Sequence, residues 1–389
     1  MKHRISVLAL ALALTQGSAR AEMNHNHFSE AACETTELRC ASKVTPTFSQ
    51  DGRLWLAWIA GGQVSVASSK DGGRTLSTPA QVTQGKLDLD WGPDARPKIA
   101  LDRKGDIAVA FSTFRDKAFN GEVFYSRSSD GGKTFAAPRP ITDNTESQRF
   151  EALAFDTAGT LFAAWLDKRN RVPVQQAGKK YDGAALFFST SKDGGATYSQ
   201  ATMAVDNTCE CCRLGLALDP SGHPVIVFRN IFEGSIRDHA IVTFTDQGTP
   251  GDVHRVSEDD WQIAACPHQG PGLSIGPNGT YHVVWYTNGT VRKGLFYARS
   301  SDGGVFRADA DRTGSQGAIT ALRHHRAAGN GNRMEGVRRR EDVGRSHDVS
   351  RRRQNMVATP HDCDHIRLIR SPVVSFGWPA ILPVVDDEG

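Results

Sequence analysis

One short polar turn occurs four times in this chain. "SSKDGGRTL" begins at Ser68, "SSDGGKTF" at Ser128, "TSKDGGATY" at Thr190 and "RSSDGGVFR" at Arg299. Their aspartates, Asp71, Asp130, Asp193 and Asp302, are separated by 59, 63 and 109 residues, the last close to two of the shorter steps. A weaker copy, Thr245-Asp246-Gln247-Gly248, falls inside the long step. Self-similarity at an interval of this size is the signature of a repeat architecture, in which one supersecondary unit is built again and again.

A second motif recurs in phase with the first. A glycine turn leads into an apolar, β-branched or aromatic run: Asp51-Gly52 into Leu54–Trp58, Gly105-Asp106 into Ile107–Phe111, Gly159-Thr160 into Leu161–Trp165, Gly222-His223 into Val225–Phe228, and Gly279-Thr280 into Tyr281–Trp285. A further strand, such as Glu122–Ser126 or Gly294–Ala298, then runs into each aspartate turn. Short strands bounded by glycine turns at a period of 50 to 60 residues predict a radial all-β array. Four strands per unit make a propeller blade.

The pattern Ser-x-Asp-x-Gly-x-x-aromatic resembles the Asp-box of the sialidase (neuraminidase) superfamily, also called the BNR repeat. The resemblance covers about residues 40–306. It implies a six-bladed β-propeller in which each Asp-box joins the third and fourth strands of a blade. Serine and aspartate then hydrogen-bond the turn's own backbone, and glycine supplies the positive φ. Leu76, Phe135 and Tyr198 occupy the apolar position. The role implied for Asp71, Asp130, Asp193 and Asp302 is structural.

The strand count also sets direction. With the Asp-boxes on the bottom face, the turns between first and second strands are at the bottom too. The starts of the first strands and the loops between second and third strands then lie on top, where the superfamily holds its active site. The first-strand starts read Asp94-Ala95-Arg96, Gln148-Arg149-Phe150-Glu151, Cys209-Glu210-Cys211-Cys212-Arg213 and Cys266-Pro267-His268. The upper loops contribute Arg115-Asp116, Asp167, Arg229, Arg237 and Tyr286.

Sialidases hold the substrate carboxylate with three arginines, whose planar forks suit it. Arg96, Arg149, Arg213, Arg229 and Arg237 are the candidates here, the alternative for each being a salt bridge between blades. The resemblance further implies a tyrosine nucleophile assisted by a glutamate, with an aspartate as acid/base. Glu151 fits the glutamate, Tyr286 the tyrosine, and Asp94, Asp116 or Asp167 the acid/base. The first blade departs from the family: no Arg-Ile-Pro occurs, and the equivalent strand start reads Ser42-Lys43-Val44-Thr45-Pro46. The expected function is therefore an exo-α-sialidase-type hydrolase acting on acidic glycans. The alternative is a non-enzymatic propeller that binds metal or a partner through its upper rim.

The cysteines carry that alternative. Cys209, Cys211, Cys212, Cys266 and His268 fall at one rim, a set suited to copper or zinc. In an oxidising compartment the same residues pair instead, as Cys33–Cys40 and one bridge from Cys209, Cys211 or Cys212 to Cys266. The reading without a cofactor rests on those disulfides. Export itself is read from residues 1–21, where Lys2-His3-Arg4, an apolar run from Ile5 to Leu14, and Ser18-Ala19-Arg20-Ala21 compose a signal peptide. The expected localisation is periplasmic or secreted, residues 22–39 form an N-terminal segment, and no later run is apolar enough to span a bilayer.

From residue 307 the pattern stops. All 13 lysines precede this point, and the last 83 residues carry 14 arginines and none of the glycine turns, strands or Asp-box due for a sixth blade. The arginine clusters permit a nucleic-acid-binding tail. A shifted reading frame near Val305 accounts better for the simultaneous loss of lysine and of the blade. The expected ligand is thus a glycan or small molecule, not nucleic acid.

Overall fold

The computed structural model describes residues 34–306 except 93, 247 and 305, together with the short strand Asp311–Arg312. The expected signal peptide, residues 23–27, the arginine-rich tail and the sixth blade lie outside the described residues.

Five four-stranded antiparallel sheets follow one another along the chain, each in simple meander order. The first is β1 (Lys43–Phe48), β2 (Leu54–Ala60), β3 (Gln63–Ser69) and β4 (Ala80–Gln81). The second is β5 (Lys98–Leu101), β6 (Ile107–Phe114), β7 (Gly121–Ser128) and β8 (Arg139–Pro140). The third is β9 (Gln148–Phe155), β10 (Leu161–Asp167), β11 (Ala184–Ser191) and β12 (Thr202–Thr208), with one short helix α1 (Arg171–Gln176) in its upper loop. The fourth is β13 (Gly215–Leu218), β14 (Pro224–Arg229), β15 (His239–Thr243) and β16 (His254–Arg255). The fifth is β17 (Gly272–Ile275), β18 (Tyr281–Asn288), β19 (Lys293–Ser300) and β20 (Asp311–Arg312). First strands pack side by side in chain order, β1 on β5, β5 on β9, β9 on β13 and β13 on β17. These are the blades of a propeller around a central channel.

The second strands hold the core. Trp58, Phe111, Trp165, Phe228 and Trp285 stand at equivalent positions, all essentially buried. In β10 every residue is buried, because the second and fourth blades cover both of its faces. In β18 buried and half-buried residues alternate, since among the described residues only the fourth blade packs on it. The same strand type thus reads as a continuous apolar run or as an alternation, according to how many faces are covered.

The repeated turns are bottom-face clasps between third and fourth strands. Ser69, Ser128, Ser191 and Ser300 each donate from Oγ to their aspartate Oδ1 at 2.7 Å. Each also accepts from a glycine N–H, at 2.7 Å for Gly73 and 3.1 Å for Gly304. In the first three, the aspartate accepts a threonine hydroxyl, from Thr75, Thr134 and Thr197, at 2.6 Å. In the fourth, Phe306 stands where that threonine would be. Gly132 is needed for two reasons: its φ is +78°, and a Cβ there would come within 2.6 Å of Trp55 in the preceding blade. The weak copy lies at the corresponding turn of the fourth blade, where Gly248 N–H donates to Thr245 O at 2.8 Å. A cavity of about 520 Å³ opens at this bottom mouth, between first-to-second-strand turns such as Asp102–Gly105 and Asp219–Gly222.

Candidate active site

The upper ends of the first strands bring the charged residues together. Asp94, Arg96 and Lys98 alternate along the extended segment entering β5, so all three address one side of it. In β9 the same alternation is interrupted. Its pairing with β10 slips between Ala164 and Leu166, so that two residues, Phe150 and Glu151, oppose Trp165. Phe150 adopts φ +58°, a left-handed conformation uncommon for a bulky residue. A bulge of this kind re-aims side chains. Here Arg149 bonds Asp90 at 2.6 Å and lies over the rings of Phe114 and Phe150, while Glu151 turns into the protein.

Glu151 is buried and accepts the Ser112 hydroxyl of β6 at 2.5 Å. Burial pushes its carboxyl above the usual range, against the opposing pull of Lys98 and Ser112. Lys98 is half-buried by surface area, and desolvation outweighs the attraction of Glu151, lowering its ammonium to about 8. Arg96 and Arg213 lower it further. Lys43, at the start of β1, is pushed down by burial and by Arg96. Arg96 makes no ion pair or hydrogen bond within the described residues, and its buried Nε is left without a partner. Lys43, Arg96 and Lys98 thus form a cationic group, and the buried carboxyls of Glu151 and Asp94 both act on Lys98.

Asp94 performs a different task. It is buried and accepts from Gly270 N–H at 2.7 Å, from Arg213 N–H at 3.2 Å and from the Arg213 guanidinium. This ties the first-strand starts of the second, fourth and fifth blades into one cluster. Gly270 is required by proximity, since a Cβ would meet the Arg213 carbonyl oxygen at 2.4 Å.

The other candidates from the sequence are distributed elsewhere. Arg229 is fully buried and donates to the carbonyls of Arg237 (2.6 Å), Gln269 (2.9 Å) and Tyr286 (2.9 Å). Arg237 donates to the Ile263 carbonyl at 3.0 Å and to Cys209 Sγ at 3.2 Å. Asp167 is engaged by Trp165 Nε1 at 3.0 Å and by Arg169 at 2.7 Å. Asp116 shapes its own loop through Asn120 and Ala118. Tyr286 packs edge-on to Trp261, with ring centres 5.8 Å apart, and no hydrogen bond joins its hydroxyl to Glu151. Lys43, Lys98 and Ser112 were not among the sequence candidates. Lys98 continues the alternation begun by Asp94 and Arg96, which is the signal that would have found it.

The disulfide expected from Cys209, Cys211 or Cys212 to Cys266 is corrected by the structure: all four are free thiols. The three sulfurs of Cys209, Cys211 and Cys212 face one another, and Cys266 packs against them. Such a group forms because the chain reverses tightly between β12 and β13, bringing i, i+2 and i+3 side chains to one point. Cys40 is disulfide-bonded, to a partner outside the described residues. His268, expected beside the thiols, is not in the three-residue group of ligand atoms lying within 4.8 Å of one another.

No family model matches the sequence, and no curated protein matches it. Several solved structures are similar. The Hadza microbial sialidase Hz136 matches at 18% identity with a TM-score of 0.43, over 67% of this chain and 56% of that one. The NanB sialidase from Streptococcus pneumoniae matches at 12% identity and a TM-score of 0.45, over 70% and 61%. The α-L-arabinofuranosidase Arb93A from Fusarium graminearum matches at 16% and 0.44, over 70% and 82%. The aligned part spans little more than half the length of the first. The β-propeller arrangement itself rests on the five meander sheets and the packing of their first strands.

Proposed function

We propose that this chain is an exported glycoside hydrolase of exo-α-sialidase type, acting on glycans that end in an acidic sugar. The observation that carries the reading is the buried Glu151 beside Lys98, with Arg96, which has no partner among the described residues, next to Lys98 and Lys43. A cationic group with unused donors is suited to a substrate carboxylate. A carboxyl whose proton is held by burial is suited to general acid–base work on the glycosidic oxygen.

In this scheme Arg96, Lys43 and Lys98 fix the acidic sugar, with Lys43 replacing an arginine in the first blade. Glu151 carries the proton, and Ser112 holds its carboxyl in place. Asp94 positions Arg213 and the Gly270 backbone at the rim. Tyr286 is the candidate for the second reacting group.

Release of a fluorophore from a sialoside by the purified protein tests the reading, with an arabinofuranoside and a neutral hexoside as comparisons. Turnover confined to the sialoside and lost in Glu151→Gln is the expected result. Equal turnover by Glu151→Gln, or release only from neutral glycosides, overturns it.

A further inference from the structure

Away from Glu151, the molecule gathers a second group of chemically able side chains. Cys209, Cys211 and Cys212 sit in the connection between β12 and β13, each no more than 2% exposed. Their sulfurs form a triangle with edges of 3.5, 3.8 and 3.9 Å. A tetrahedral or trigonal ion with metal–sulfur bonds of about 2.3 Å sets its sulfurs roughly 3.8–4.0 Å apart. The triangle therefore already has the size of a coordination face. Cys266, half-buried on the neighbouring segment, packs against the same three. Its Sγ approaches Glu210 Oε1 at 3.8 Å.

The surroundings have the sign that a thiolate–metal centre requires. Arg237 Nη1 lies 3.2 Å from Cys209 Sγ. Arg229, buried beside it, donates to the Arg237 carbonyl at 2.6 Å. Four thiolates around a divalent ion, or three around a monovalent one, leave two negative charges in a buried place, and two guanidinium groups stand there to balance them. Sulfur ligands select closed-shell soft ions over the hard cations that prefer oxygen.

We infer that Cys209, Cys211, Cys212 and Cys266 form a binding site for one thiophilic d10 cation, Zn²⁺ or Cu⁺. The site goes beyond the hydrolase reading and does not depend on it. Binding releases the thiol protons and changes no oxidation state. The ion clips the β12–β13 connection to the segment before β17. Cys212 is followed directly by Arg213, and Gly270 follows Cys266 by four residues, so the clip holds both groups that bond Asp94.

The full-length protein, prepared under reducing conditions, tests this in separate arms with Zn²⁺ alone and Cu⁺ alone. One ion per chain, retained against a competing chelator in one of the arms, is the expected result. Cobalt(II) should give thiolate-to-metal charge-transfer absorption. Cys211→Ser and Cys212→Ser should weaken retention by more than the roughly 10–100-fold that loss of an outer-shell partner costs. The wild-type measurement decides even if those variants misfold. Four reduced thiols that retain neither ion overturn the inference, as does a bridge between any two of the four in freshly isolated, metal-free protein. Glycoside turnover is not read in any arm, so failure here and failure of the hydrolase reading remain distinct.

Discussion

The two faces of the propeller use carboxylates in opposite ways. On the bottom, Asp130 and Asp193 are exposed and Asp71 half-buried, and hydrogen bonds from threonine, serine and backbone hold their carboxyls well below the usual range. On top, Glu151 is buried among protein atoms and is pushed upward by desolvation. The linkage to stability has opposite sign in the two places. The clasps stabilise the fold above the unfolded aspartate value of 3.8 and lose that contribution as pH falls through their depressed native values. Glu151 makes the native state bind the extra proton, so its contribution is lost as pH rises from the unfolded value of 4.5 toward the native one. Local hydrogen bonding holds a carboxylate ionised as a structural clasp, whereas burial raises a carboxyl's hold on its proton.

The largest effect should come from the top. Glu151→Gln is nearly isosteric and should lower kcat by roughly 10²–10⁴-fold, the usual share of general acid–base catalysis, with the folded state retained. Steady-state kinetics alongside circular dichroism checks this, and a loss below tenfold removes Glu151 from the reacting set. Next is Asp94→Ala, which leaves the Arg213 guanidinium and Gly270 N–H without their acceptor. Urea unfolding should show a loss of roughly 3 kcal/mol, the lower end for a broken buried pair because Arg213 is about a third exposed. A cost near zero would mean the rim is not tied through Asp94.

A smaller, pH-dependent effect belongs to Lys98. With its ammonium lowered to about 8 from 10.5, it should hold an anionic ligand less well above pH 8. The KM for an acidic substrate should rise there, by about tenfold if one charged hydrogen bond is lost, and Lys98→Met should abolish the rise. Stability should move the other way: between about 8 and 10.5 the unfolded chain binds more protons, so unfolding free energy increases with pH. The smallest effect should be on the bottom. Ser128→Ala removes the hydroxyl that bonds Asp130 and Gly132 and should cost about 1 kcal/mol, with kcat/KM unchanged. A change in turnover from that substitution would erase the contrast between the faces.

How much could be read beforehand follows the same division. The clasps, the glycine turns and the five second-strand aromatics were legible because each depends on residues within a few positions of one another. Ser128, Asp130 and Thr134 bond at separations of two and four, and such chemistry leaves a pattern in the chain. Direction was legible too, since strand count alone decides which loops share a face. The fates of individual arginines were not. Arg96, Arg149 and Arg213 occupy similar places in the repeat, yet one has no partner among the described residues, one bonds Asp90 and one bonds Asp94. Nor did the spacing reveal whether the rim cysteines pair or converge as free thiols.

The sequence by itself therefore determined the blade, its repeat and its clasp, through contacts a few residues long. Only the tertiary structure decided which charges meet. Asp94 reaches Arg213 across 119 residues and Gly270 across 176, and Glu151 is turned toward Lys98 by a bulge that no local pattern announces. The reason is physical: a hydrogen bond between neighbours in the chain is fixed by local geometry, but burial and pairing depend on which blades pack around the channel.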